Sequence, residues 1–154
     1  MVHVMMVPPS ALAEAGAPPG IDRILNVDAT VGPSVVGGVN SADDVSAVQA
    51  LFAIYLGGET SPVTPLPQQT GTFDSATGYY IYRLQGAEQK SWPTSVVDGL
   101  VSPATDGEVS YGGGYFVIAA LNFQAYDQDA DAWNALVAQY ENSGGGADPS
   151  TPSA

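Results

Sequence analysis

Chemistry in this chain would have to come from carboxylates and aromatic rings, because little else is available. His3 is the single histidine and cysteine is absent, so a zinc site of the usual kind cannot be assembled and there is no disulfide framework. A Ser-His-Asp triad would have to recruit His3 from an apolar N-terminal run, and no nucleophile-elbow motif is present. Asp127-x-Asp129-x-Asp131 has the alternating carboxylates of a calcium loop, but Ala132 and Ala138 stand where such a loop needs Gly and Glu. The plainer reading is a set of acids at a helix N-terminus. Asp106 and Glu108 are a carboxylate pair of the sort glycoside hydrolysis uses, yet both sit in turn-forming sequence. Gly112-Gly113-Gly114 is followed by no Lys or Arg and is not a phosphate cradle. These residues predict no catalytic centre, no cofactor and no metal.

Binding signals are stronger. The chain has eight Tyr, two Trp and four Phe. Glycans are gripped by aromatic faces and neutral polar groups, so Tyr79, Tyr82, Trp92 and Tyr111 are candidates for a glycan-facing or partner-facing patch. The competing reading puts Tyr80 and Ile81 in the core and packs Tyr79 and Tyr82 on an arm or a neighbouring subunit, since aromatics are equally enriched at protein interfaces.

Composition bounds the partners. Sixteen acidic residues against three basic ones give a net charge of -13 over 154 residues. Nucleic acid is disfavoured, because a phosphate footprint needs a basic patch, and anionic membranes are disfavoured for the same reason. No run approaches the ~20 apolar residues of a membrane span. The first residues lack a basic region and an apolar core long enough for a signal peptide. Only 12% of residues are charged, which suits a protein packed against neighbours.

The elements that must position these residues centre on the stretch from Val39 to Gln85. Ser41 before Ala42-Asp43-Asp44 is an expected N-cap, its hydroxyl accepting the Asp44 N–H. Val45, Val48, Phe52, Tyr55 and Leu56 recur at helical spacing, and Gly57-Gly58 ends the helix. Residues 59–70 read as a Pro-rich loop, and Gly71 permits a tight turn with Phe73 plugging the core beside it. Asp74 or Ser75 caps a second helix with Thr77, Tyr80, Ile81 and Leu84 on one stripe. Residues 86–94 read as a loop with Trp92-Pro93 at its tip, and 96–101 as a short strand pair about Asp98-Gly99. Gly71-x-Phe73 with Gly78-Tyr79-Tyr80-Ile81 is echoed by Gly107-x-Val109 with Gly114-Tyr115-Phe116-Val117, two corners obeying the same turn chemistry or a duplication. Residues 116–124 form a short buried helix or strand. A last helix spans 127–142, with Trp133, Leu136, Val137 and Tyr140 on its apolar face.

On either side of this core the sequence reads as arms. Residues 1–7 suggest a strand or a docking arm, 10–15 two helical turns with Ser10 as cap, and 21–27 a short helix or a strand. Pro18-Pro19-Gly20 breaks the chain between them. After Ser143-Gly144-Gly145-Gly146, the tail from Ala147 to Ala154 has linker composition. The expected organisation is an N-terminal arm (1–30), a core (31–125), a C-terminal helix packed on it (126–143) and a flexible or partner-docked tail (144–154). The fold class is mainly α with short β elements.

The order Val39-Asn40, Asp44-Val45, Val48-Gln49, followed by Gly71-x-Phe73, Thr77, Ile81 and Leu84-Gln85, resembles the peptidoglycan-binding-like domain. A third element of one branch of that family, Asp-Gly-x-Val with a Gly pair and a Leu-Asn helix end, is similar to Asp106-Gly107-Glu108-Val109 with Gly112-Gly113 and Leu121-Asn122. Asp98-Gly99-Leu100-Val101-Ser102-Pro103 competes for the same motif. The resemblance covers about half of the chain and implies a small three-helix bundle with Asn40, Asp44, Val45, Gln49, Gly71, Phe73, Thr77, Ile81, Gln85, Asp106 and Gly107 as its core and turn positions.

Two functions follow as expectations. One is a non-enzymatic structural or accessory protein of a larger assembly, such as a bacteriophage virion, made in the bacterial cytoplasm and joined to other virion proteins through its two arms. The other is a module that binds peptidoglycan. Fold alone does not choose between them.

Overall fold

A computed structural model describes residues 2–59, 62, 64–93, 95–111 and 114–142. Its elements are β1 (His3–Met6), α1 (Pro9–Ala15), β2 (Arg23–Asn26), a 3-10 turn (Ser34–Val36), α2 (Ala42–Tyr55), α3 (Ser75–Ser91), β3 (Ser110–Tyr111), β4 (Gly114–Tyr115), α4 (Val117–Gln128) and α5 (Ala130–Asn142). The fold is mainly helical with short β elements, as the sequence predicts.

The centre is α4. Its run of apolar residues buries Ile118, Ala119, Leu121 and Phe123, with α2, α3, α5 and β2 packed around it. Helix α2 offers Val45, Val48, Leu51 and Phe52, and α3 offers Tyr80, Ile81 and Leu84. Trp133 and Val137 of α5 are fully buried. The expected apolar faces are therefore the ones that pack, and burying each large side chain contributes about 1.5–3 kcal/mol.

The expected N-terminal arm is instead part of this core. β1 pairs antiparallel with β2, His3 opposite Asn26 and Met6 opposite Arg23. Val2, Met5, Val7, Ile24, Leu25 and Val27 are all buried. The physical reason is a shared apolar content: β2 packs on α4 and β1 on α5, covering faces the three-helix stretch alone would leave wet. Of residues 21–27, Arg23–Asn26 form the strand. The lone histidine is tied down at the edge of this sheet, His3 Nδ1 lying 2.9 Å from Asp28 Oδ1.

Other boundaries also shift. Helix α3 continues to Ser91, so 86–91 are helical; Trp92 and Pro93 lie past its end, and Thr94 lies outside the described residues. Residues 96–101 contain no strand pair; Val101 instead bridges Val31. A small hairpin of β3 and β4 takes its place further on, Ser110 opposite Tyr115. The last helix begins at Ala130 rather than 127, because α4 runs on to Gln128 and Asp129 makes the break. Asp129 then caps α5, its carboxylate accepting the Ala132 N–H at 3.0 Å, which is the plain role expected of that acidic run. Asp74 caps α3, accepting from Thr77 N at 2.8 Å and Thr77 Oγ1 at 2.6 Å. Ser41 makes no side-chain cap. Asp44, fully buried, turns away from its own helix and accepts the N–H groups of Asp28 and Ala29 at 3.0 and 3.1 Å. The tail from Ser143 to Ala154 lies outside the described residues.

Candidate functional site

Two kinds of polar residue stand out: those that hold loops in place and those that line a cleft. The loop-holding set accounts for most of the motif positions. Gln49, fully buried on α2, accepts the N–H groups of Thr70 and Gly71 at 2.9 and 3.0 Å and donates to the Thr72 carbonyl at 3.0 Å. It fixes the corner where Gly71 is left-handed and from which Phe73 reaches the core. Gln85 repeats the device one helix later. It accepts from Gly99 N at 2.8 Å and donates to Asp98 Oδ1 and the Leu100 carbonyl at 3.0 and 3.1 Å. Asn40, itself left-handed at φ 58, makes a two-point pair with the Gly32 backbone at 2.9 and 2.7 Å. Asn122 of α4 closes the set, bonding both Leu25 N and Leu25 O at 2.9 Å and accepting the Trp133 indole N–H at 3.0 Å.

Side-chain amides of this kind, buried at Gln49, Gln85 and Asn122 and half-buried at Asn40, replace water for backbone groups that no helix or strand satisfies. Their work is structural. Of the two competing Asp-Gly turns, Gln85 holds Asp98-Gly99. Gly107 is left-handed as well, but Asp106 is exposed and the turn closes through Glu108 N–H to the Thr105 carbonyl at 2.8 Å. Asp106 and Glu108 are turn residues here.

The cleft lies elsewhere. It encloses about 440 Å³ between the Gly16–Pro19 loop, the end of α3, β4 and one face of α4. Trp92 enters from the end of α3 and meets Tyr115 of β4 edge to face, with ring centres 5.0 Å apart. Phe123 of α4 continues the aromatic line, 6.3 Å from Tyr115 and nearly perpendicular to it. Tyr115 is fixed at its far end by donating to the Ala15 carbonyl. Glu88, Gln124 and Asp127 supply the polar rim.

Burial dominates the local electrostatics. It pushes the Glu88 carboxyl above its ordinary range. Burial likewise raises the Tyr115 phenol, opposed by a hydrogen bond from Trp92 and reinforced by the Glu88 charge. Among the described residues no Lys, Arg or His lines the cleft. Arg23 and Arg83 are engaged elsewhere: Arg23 pairs with Asp22 and Glu141 and lies over the Trp133 ring, while Arg83 pairs with Glu59 through both guanidinium nitrogens at 3.0 and 3.1 Å.

The four aromatics expected to form one patch separate. Trp92 is in the cleft. Tyr79 and Tyr82 are exposed on α3 and do not line it; Tyr79 meets Tyr80 edge to face, and the Tyr82 ring covers Gly99. The Tyr111 side chain lies outside the described residues. Tyr115, Phe123, Glu88, Gln124 and Asp127 join the site without a binding signal of their own in the sequence. Tyr115 sits in the Gly-Tyr-Phe-Val echo, which is the one sequence signal that pointed toward it. Among the described residues no group of three or more potential metal ligands comes together, and no helix is long and apolar enough to cross a membrane.

No protein-family model, curated protein or solved structure matches the chain.

Proposed function

We propose that this chain is a non-enzymatic recognition module for a cell-wall glycan, held in the cleft between Trp92 and Tyr115. The observation that carries the reading is the cleft itself: three aromatic rings in successive edge contact, a polar rim of Glu88, Gln124 and Asp127, and a volume of about 440 Å³. Small-ligand sites combine aromatic walls with a few polar groups in this way. The resemblance to the peptidoglycan-binding-like domain supports the wall as the source of the glycan. Co-sedimentation with insoluble peptidoglycan tests it: Trp92→Ala should abolish binding and Tyr79→Ala should leave it intact.

A second reading is a structural component of a larger assembly such as a phage particle. It is favoured by the exposed valines Val35, Val36 and Val39, of which Val35 is 91% exposed, beside a shallow groove floored by Gly71, Thr72 and Phe73. A chain carrying Val35→Asp and Val39→Asp should fold but stay out of the particle; unchanged incorporation would reject this reading.

A further inference from the structure

The polar rim of the cleft has a single sign. Glu88 and Asp127 are the ionisable carboxyl groups that line it, and no basic side chain among the described residues lines it with them. Among the described residues no donor or cation pairs with the Glu88 carboxylate, and burial is the cause acting on it. A carboxylate partly withdrawn from water without a counter-charge is costly, and an arriving cation relieves that cost. The rings beside it add to the same preference. Trp92 and Tyr115 both line the cleft, and a desolvated ammonium is attracted to the face of such a ring. The net charge of -13 draws cations toward the whole surface, but the pairing of Glu88 with Trp92 and Tyr115 gives that attraction one address.

We infer that the cleft takes a primary ammonium group carried on an otherwise uncharged ligand, with Glu88 as its counter-ion and Trp92 and Tyr115 as its aromatic wall. The inference rests on the recognition role proposed above and narrows it: the ligand is amine-bearing, and anionic ligands are turned away. The amine can belong to an amino sugar or to a lysine-like side chain, since both offer the same group.

The test follows the Trp92 indole N–H by NMR during titration at neutral pH, where the probe amines carry charge and the Glu88 carboxyl is more fully ionised than in acid. The probes are a glucosamine trisaccharide, its fully N-acetylated counterpart, Nα-acetyl-lysine amide and the Nε-acetylated form of that amide. The expected result is saturable binding at least tenfold tighter for one charged probe than for its acetylated partner, and the probe that shows it identifies the source. Glu88→Gln should equalise the pair. Asp127→Asn, at an exposed position that tolerates the change, should reduce the preference severalfold. Equal affinity for charged and acetylated forms in the native chain, or a preference that persists in Glu88→Gln, overturns the inference. If the acetylated trisaccharide shifts the Trp92 signal in the native chain as readily as the charged one, glycan recognition stands and the ammonium assignment falls. No shift at Trp92 with any probe defeats both.

Discussion

Trp92 and Tyr115 meet edge to face at 5.0 Å, one leaving the last turn of α3 and the other standing on a two-residue strand. The contact joins segments that neither share an element nor follow one another. It depends on α3 reaching Ser91 and on Tyr115 being anchored to the Ala15 carbonyl. The cleft is thus built by the helical core and the N-terminal segment together.

That dependence makes the N-terminal segment indispensable. Deleting residues through Val7 removes the buried side chains of Val2, Met5 and Val7, each contributing about 1.5–3 kcal/mol against a typical total stability of about 5–15 kcal/mol. The shortened chain should lose its cooperative thermal transition by circular dichroism. A retained sharp transition would mean that the segment is an accessory arm after all.

Gln49 and Gln85 should be as sensitive as apolar core residues. Gln49→Ala strands the N–H groups of Thr70 and Gly71, and Gln85→Ala strands that of Gly99. Leaving a buried donor such as the Gly99 N–H unsatisfied costs about 1–3 kcal/mol, so each variant should melt roughly 2–12 °C lower. Urea titration checks this; a midpoint unchanged from the native chain would show that water replaces the amide at no cost.

Gly99 carries two constraints at once. Its φ is +76, and a Cβ there would lie 2.8 Å from the Tyr82 ring. Gly99→Ala should cost about 1–2 kcal/mol from the backbone alone, and more from displacing the ring. Adding Tyr82→Ala should recover the ring contribution and leave the backbone one. A double-mutant cycle with no coupling would show that the ring moves aside freely.

Glu88 gives stability a pH dependence of known sign. Burial raises its folded-state pKa above the unfolded one, so the folded chain holds the proton to higher pH. The penalty is absent below the unfolded carboxylate range and grows as pH rises through the raised folded value. Glu88→Gln removes this titration. Its melting temperature should exceed that of the native chain at neutral pH, and the advantage should vanish below about pH 4. Thermal melts across that range decide it; an advantage that does not change with pH would assign the effect to packing instead.

Much of this architecture is legible in the amino-acid order, for identifiable reasons. The faces of α2, α3 and α5 follow from apolar residues at helical spacing, and Asp74 from its place before Ser75. What escaped is long-range. β1 and β2 are four residues each, too short to separate strand from helix by period, and their pairing with each other is set by the core they cover. Ser41 looked like a cap because local sequence favours it, but Asp44 is drawn to the Asp28 and Ala29 backbone instead. Trp92 is legible as a binding aromatic, yet Tyr115 and Phe123 join it only through the fold. Glu88 carried no signal, since a carboxylate on a helix is ordinarily solvated and its burial arises from neighbours distant in sequence.

The most direct test of the central claim is co-sedimentation of the purified chain with insoluble peptidoglycan, comparing the native protein with Trp92→Ala and Tyr79→Ala. The native chain and Tyr79→Ala should pellet with the wall material, and Trp92→Ala, folded to the same far-ultraviolet spectrum, should stay in solution. A native chain that remains in the supernatant, or a Trp92→Ala variant that pellets as well as the native chain, would contradict it.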